Sequence, residues 1–203
     1  MITKIVIENI SKSFKNTHIL NNVTCSFEGG KAYGITGKNG SGKSVLLNII
    51  IGTQKPDEGN VSFYTDNKPR IGVAIDGTEL FPYMNAKEAL EYLASFRKEA
   101  GDSDIEEILE RMGLGKVGKK HIRRFSTGMK KRLLIAQAIM EDNDLYIFDE
   151  PTNGLDEAGV KLFYEIINEL REKGKTIIIT SHCKEDIKEC CDEVFELKDG
   201  IIL

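Results

Sequence analysis

Residues 37–44 read Gly37-Lys-Asn-Gly-Ser-Gly-Lys43-Ser44, the GxxxxGK[ST] spacing of a phosphate-binding loop. Glycines at 37, 40 and 42 let the backbone curl through dihedrals that a side chain would forbid. The N–H groups so exposed form an anion nest. A helix that starts at the end of the loop adds its unpaired N–H groups and the positive end of its dipole. Lys43 is expected to reach the β- and γ-phosphates, and the Ser44 hydroxyl to ligate Mg²⁺. Gly37, Asn39, Gly40, Ser41, Gly42, Lys43, Ser44 and Val45 are therefore the expected triphosphate positions. Alone, the loop fits kinases, GTPases, motors and transporters equally well.

Three further segments could complete that chemistry. Leu145-Tyr-Ile-Phe-Asp149-Glu150 is an apolar strand ending in two acids. Acids at the carboxyl end of a buried parallel strand stand where open α/β sheets bind ligands. Asp149 could hold Mg²⁺ through water, and Glu150 could orient and deprotonate an attacking water. Thr176-Ile-Ile-Ile-Thr-Ser-His182 is a second buried-type strand. His182 could contact a γ-phosphate or fix the water's geometry, or could be an ordinary hydrogen-bonded loop residue. In Phe125-Ser-Thr-Gly-Met-Lys-Lys-Arg-Leu133, Ser126 is a good N-cap for a helix continued by Leu133, Leu134, Ala136, Ile139 and Met140. That makes a second helix N-terminus fit for phosphate. One triphosphate does not need two such sites in one chain, so Ser126 and Gly128 are expected to serve a nucleotide held by another copy.

The elements that position these residues follow from hydrophobic spacing. Strands are expected over 2–10, around Val23, Cys25 and Phe27, over 32–36, 61–64 and 71–75, then over 144–149, 175–181 and 193–198, with a stub at 201–203. Pro56-Asp-Glu-Gly59 is the turn before the 61–64 strand. Between about 84 and 140 the spacing is helical. Ala89, Leu90, Leu93 and Phe96 share one face, as do Ile105, Ile108, Leu109 and Met112, with Ser103 and Glu106 as a capping box. Leu162, Phe163, Ile166, Ile167 and Leu170 mark a helix that ends near Gly174. The order is β-rich segment, phosphate-loop unit, helical insert, then β-α-β again.

The 203 residues fit one domain, or one core with a subdomain. With 40% hydrophobic and 30% charged residues the chain reads as a soluble globule. A formal charge of −4 does not favour nucleic acid or an anionic membrane. No stretch reaches the roughly 18 apolar residues of a membrane helix. No secretory h-region precedes the first strand, and no regulatory extension is expected after the last. Cys25, Cys183, Cys190 and Cys191 show no metal spacing, and the neighbouring pair cannot form an ordinary bridge; the expectation is four reduced thiols in the cytosol.

In this set and this order, over essentially the whole chain, the motifs resemble those of the ATP-binding cassette (ABC) family. The resemblance assigns Gly37–Ser44 to Walker A, Ser126-Thr127-Gly128 to the signature, and Asp149-Glu150 to Walker B with the catalytic Glu. It also assigns Asn153-Gly154-Leu155-Asp156 to the D-loop, His182 to the switch histidine, and Phe14 to the adenine-stacking aromatic. The family usually has Tyr at the last position, but stacking needs only a ring face; Phe14 could otherwise be packing beside a strand. Asp76 stands where the family carries its Q-loop glutamine. It is shorter and charged, and could meet Mg²⁺ through a water. Thr127 and Met129 replace a common Gly and Gln of the signature. These variations resemble drug- and peptide-exporter subunits of the bacitracin-resistance and lantibiotic-immunity types.

The implied fold is α/β: a P-loop NTPase (RecA-like) parallel-sheet core with an antiparallel β subdomain and a helical insert. That makes residues 1–203 a single ABC nucleotide-binding domain whose helical subdomain covers approximately 77–140. The implied activity is Mg²⁺-dependent ATP hydrolysis by a transporter subunit, with Glu150, His182 and Lys43 as the catalytic residues and Ser44, Asp76 and Asp149 at the metal. Two cassettes, identical or mixed, would close head-to-tail over ATP and drive a separate integral membrane subunit, placing the chain at the inner face of the cell membrane. A soluble cassette ATPase acting on DNA or ribosomes is the chief alternative, and such members usually carry a coiled-coil insertion or two cassettes. A nucleotide-gated assembly module with little turnover is the other. Small P-loop kinases would leave the signature and His182 unexplained.

Two surface expectations complete the reading. Leu80-Phe-Pro-Tyr-Met84 either lines a groove for a cytoplasmic helix of the membrane subunit or packs within the insert. Lys116, Lys119, Lys120, Arg123, Arg124, Lys130, Lys131 and Arg132 read as a solvated basic face, since aromatics other than Phe125 are missing from the run and no nucleic acid is expected.

Overall fold

The computed structural model describes residues 2–15, 17–75, 77, 81–97 and 99–203. Its elements are β1 (Ile2–Phe14), β2 (Thr17–Glu28), β3 (Ala32–Thr36), α1 (Lys43–Ile50), β4 (Glu58–Thr65), β5 (Ile71–Ala74), α2 (Ala86–Ala94), α3 (Asp102–Arg111), α4 (Thr127–Ile139), β6 (Leu145–Asp149), α5 (Glu157–Glu172), β7 (Thr176–Thr180), α6 (Lys184–Cys190), β8 (Glu193–Lys198) and β9 (Ile201–Ile202). Among the described residues the strands form a three-stranded antiparallel sheet, β2-β1-β4, and a six-stranded sheet, β5-β6-β7-β3-β8-β9. The second is parallel except for β9, which runs antiparallel to β8.

Apolar alternation along the parallel strands divides the core. Leu145 and Ile147 join Ile35, Ile178 and the residues of β1, β2 and α1 on one face of the sheet. Tyr146 and Phe148 join Ile177, Ile179 and the residues of α2 to α5 on the other. Every residue of β6 and of β7 is buried, as strands covered on both faces must be. Helix α4 reaches the sheet because Gly72 leaves room for it: a Cβ there would stand 2.2 Å from Ala138 O.

The first strand runs on to Phe14 rather than stopping near residue 10. A register shift between Ile7 and Ile10, with Asn9 at φ 52°, turns Ile10 back to the buried face. This bulge breaks the strict alternation that marks a strand in sequence. Helix α3 starts one residue before Ser103. Its cap is Gly101, whose N–H donates to Asp104 Oδ2 at 2.8 Å, so the expected Ser103–Glu106 box is not formed. The capping box that does form is Asn85 with Glu88, reciprocal at 3.0 and 2.9 Å. Phe96 lies beyond the end of α2 and is 70% exposed, off the buried face expected for it.

In register, Ile35, Thr180 and Asp149 lie side by side where β3, β7 and β6 end. The phosphate loop, the two acids and His182 thus leave the sheet at one carboxyl edge.

Candidate active site

The loop after β3 is held by contacts that only glycine permits. Gly42, at φ 104°, precedes α1, and a Cβ there would meet Leu20 Cδ2 at 2.9 Å. At Gly37 a Cβ would stand 2.3 Å from Leu197 O. Lys43 is buried within the loop it closes: its Nζ donates to Gly37 O at 2.8 Å and to Lys38 O at 3.4 Å, and lies 3.4 Å from Glu150 Oε1.

Two oxygens of different character meet beside it. Ser44 Oγ donates to Asp149 Oδ2 at 2.7 Å. The other carboxylate oxygen of Asp149 accepts from Thr180 Oγ1, whose oxygen in turn accepts from Glu150 N at 3.1 Å. Among the described residues, no three His, Cys, Asp or Glu side chains gather to hold a metal ion. A serine hydroxyl and one carboxylate are hard oxygen donors. They suit Mg²⁺, which takes one or two protein ligands and completes its shell with phosphate oxygens and water. The donor set fits that ion as one arriving with a nucleotide.

Glu150 has φ 46°, left-handed backbone that a side chain adopts only where its surroundings enforce it. Its N–H is held by Thr180 O at 3.0 Å, and its carbonyl accepts from Lys131 Nζ at 2.9 Å. So anchored, its carboxylate accepts from His182 Nδ1 at 2.8 Å and from His182 N at 3.3 Å. A carboxylate only accepts, so Nδ1 carries the proton in this bond and Nε2 is the ring nitrogen outside it.

A cleft of about 360 Å³ is lined by Phe14, Ile19, Asn39, Gly40, Gly42, Lys43, Ser44, Val45, Asp149 and Glu150; His182 reaches it only through its bond to Glu150. Phe14 is half exposed on its rim. The strand that carries it is tied down by Asp57, which accepts from Lys12 Nζ at 2.6 Å and from Ser13 N at 2.7 Å. Ser41 borders an adjoining cleft of about 600 Å³ on the far side of Asn39 and Gly40.

Ser126 and Gly128 do not line this cleft. Ser126 Oγ caps α4, accepting from Met129 N at 3.2 Å. A Cβ at Gly128 would stand 2.7 Å from Gly154 O, so the turn at 152–155 packs against the start of α4. Arg132 pairs with Asp156, and together with the Gly159 N–H it holds that carboxyl below the usual carboxylate range. Asp76 lies outside the described residues.

Spacing alone missed three contributors. Lys131 is buried and bonded to the Glu150 and Asp149 carbonyls, and Arg132 is partly buried against Asp156; neither belongs to a solvated basic face. The signal was present: Lys131 precedes Leu134, Ile135 and Ala138 at helical spacing on their buried face. Thr180, the third, is read in sequence only as strand.

The sequence profile of the family described as ABC transporter matches residues 20–153. The uncharacterized ABC transporter ATP-binding protein YybJ of Bacillus subtilis (strain 168) is 39% identical, with 95% of this chain and 91% of that protein covered. The lantibiotic transport ATP-binding protein SrtF of Streptococcus pyogenes is 33% identical, over 97% of this chain and 88% of its own. A dimeric structure of the ATP-binding cassette MJ0796, in a post-hydrolysis state bound to ADP and Pi, superposes with a TM-score of 0.86 at 26% identity, over 98% of this chain and 96% of the other.

Proposed function

The chain belongs to the ABC transporter family as an ATP-binding, ATP-hydrolysing subunit, and we propose that it works as one of two cassettes that close head-to-tail on ATP. Residues 1–203 are then one nucleotide-binding domain, with the helices between about 77 and 140 as the part that meets a separate integral membrane subunit.

One observation carries the chemistry. The Glu150 carboxylate lies between His182 Nδ1 and Lys43 Nζ, at 2.8 and 3.4 Å, beside the bonded pair Ser44 and Asp149. Glu150 orients a water and takes its proton as the water adds to the γ-phosphorus and the bond to ADP breaks. His182 fixes the carboxylate. Lys43 exchanges the carbonyls of residues 37 and 38 for β- and γ-phosphate oxygens. Ser44 and Asp149 would hold Mg²⁺, with Asp76 proposed to reach it through a water, and the ion would supply positive charge to those oxygens. Phe14 stacks on adenine, while Ser126 and Gly128 present helix N–H groups to the triphosphate of the facing cassette.

The surface offered to the membrane subunit centres on residues 81–84. Phe81 packs edge-on to Tyr92 at 5.0 Å between ring centroids, so part of the segment serves the insert. Tyr83 is 71% exposed, with Arg123 5.2 Å from its ring. Among the described residues no helix is long and apolar enough to cross a membrane. A membrane partner would hold the chain at the inner face. The likeness to a lantibiotic transport protein supports a drug or peptide exporter; no role for nucleic acid is proposed.

The test is Glu150→Gln. It should bind ATP as the unaltered chain does, lose about a hundredfold or more in turnover, and accumulate as a dimer in light scattering with Mg²⁺ and ATP. In cells, that variant with cysteine at position 83 should cross-link to an integral membrane protein. Turnover at the normal rate would remove Glu150 from its role, and an intact complex with no cross-link would return residues 81–84 to internal packing.

A further inference from the structure

Asp186 is 1% exposed and is used by none of the chemistry above. It lies in the first turn of α6. Thr152 Oγ1 donates to its Oδ2 at 2.6 Å, Ser181 Oγ donates to the same oxygen at 2.7 Å, and Tyr164 Oη donates to Oδ1 at 2.7 Å. A buried carboxylate is costly without such donors, and here three hydroxyls from three different segments supply them. Two of those segments lead directly to the reacting groups. Thr152 is two residues past Glu150, in the turn whose Gly154 packs on the start of α4. Ser181 immediately precedes His182.

Ser181 does more than donate. Its oxygen also accepts from Cys183 N at 3.0 Å. His182 is thus bracketed: the residue before it is bonded to Asp186, and the residue after it is bonded to that same serine. The ring is left at the tip of a closed turn, aimed at Glu150. On the other side, Asn153 N donates to Glu150 O at 3.3 Å and Leu155 N to Thr152 O at 3.0 Å. A shift of Thr152 therefore travels into the Glu150 backbone and into the 152–155 turn.

We propose that Asp186 is a positioning residue for hydrolysis: through Ser181 and Thr152 it locks His182 and Glu150 in mutual register and ties both to the turn that packs on α4. The third hydroxyl, Tyr164, anchors the same carboxylate to α5 without touching the reacting groups. Ala at this position removes both acceptor oxygens at once, whereas Asn would keep an oxygen for Thr152 and Ser181 and an NH2 that Tyr164 Oη can accept from.

This inference rests on the roles proposed for Glu150 and His182, and the experiment separates the two. Steady-state ATP hydrolysis by the full chain is measured for Asp186→Ala, Thr152→Val, Thr152→Ser and Tyr164→Phe, with thermal midpoints, beside Glu150→Gln. Loss of turnover in Glu150→Gln upholds the site itself. Asp186→Ala and Thr152→Val should then lose about tenfold in kcat with KM for ATP within twofold, since misplaced reacting groups cost rate more than binding. Thr152→Ser, which restores the hydroxyl, should recover most of the rate. Tyr164→Phe should lower the midpoint while keeping kcat within twofold. With Glu150→Gln inactive, the proposal is overturned if Thr152→Val and Asp186→Ala keep the normal kcat. It is equally overturned if Tyr164→Phe loses kcat in the same proportion to its lost midpoint as they do. Should Asp186→Ala fail to fold, the Thr152 pair and Tyr164→Phe decide the question alone.

Discussion

The cleft at the end of β3, β6 and β7 and the start of α4 are both proposed to meet phosphate, yet they are furnished differently. In the cleft nearly every polar group answers another within the chain: Ser44 with Asp149, Asp149 with Thr180, Glu150 with His182, Lys43 with the loop carbonyls. It contains a cation, a proton acceptor and oxygen donors for a metal ion. The start of α4 offers only what any capped helix offers, first-turn N–H groups, with Ser126 occupied by Met129 N. Its neighbours are a second turn, at 152–155, and the Arg132–Asp156 pair. On the proposed reading the first region would bind and cut, and the second would only complete a charge shell. A surface that can only complete a shell is useful where another copy brings the rest.

The hardest way to break that comparison is to disable one region per chain. Lys43→Ala removes the ammonium beside Glu150, and Gly128→Asp puts a negative side chain at the start of α4 where a Cβ already meets Gly154 O. Each variant alone is expected to be nearly inactive: the first through lost ATP affinity, the second with affinity in the single chain unchanged. Mixed in equal amounts they should regain roughly a quarter of the normal ATPase rate, because half of random pairs carry one whole site of two. A mixture as inactive as its parts would mean that each chain uses its own Ser126 and Gly128, and the comparison would fail.

A smaller effect separates binding from assembly within the cleft. Phe14→Ala should weaken ATP binding by about 1–3 kcal/mol, roughly 5- to 150-fold, the usual worth of a base stacked on an aromatic ring. Turnover at saturating ATP should stay within twofold, since Phe14 takes no part in the bonds that hold Glu150, which run to His182, Lys43, Thr180 and Lys131. Nucleotide titration by fluorescence or calorimetry reads the affinity. An unchanged dissociation constant would return Phe14 to packing beside its strand.

How much of this could be read from residues alone differed by distance along the chain. The phosphate loop is eight consecutive residues whose glycines each answer a local demand, so its spacing spoke directly. The same is true of buried strands such as Thr176–Thr180, whose unbroken apolar character reports burial on both faces. Contacts that join distant segments left no local trace. His182 and Glu150 are 32 residues apart and Thr152 and Asp186 are 34 apart, and only the parallel order of β6 and β7 brings them together. Charged side chains are the least legible: a run of like charges reads as surface, yet helical spacing puts Lys131 of that run on the buried face. Backbone irregularity comes next. The bulge at Asn9 broke the alternation of β1 and so hid its extension to Phe14.

The slightest effect tests what holds the second region together. Asp156 caps α5 and is paired with Arg132, and these partners keep its carboxyl below the usual carboxylate range. A carboxyl lowered by folding stabilises the fold above the ordinary carboxylate range, and that contribution is lost as pH falls through the lowered value. The group is fully exposed, so water and salt weaken the pair and the effect is small. Asp156→Asn is therefore expected to lower the thermal midpoint slightly at neutral pH and at low salt. The gap to the unaltered chain should narrow as the medium is acidified, because Asn keeps an acceptor for Gly159 N and loses only what depends on charge. A gap that stays constant from neutral to strongly acidic pH would mean that the charge on Asp156 contributes nothing, and that its pairing with Arg132 has no part in setting the two regions apart.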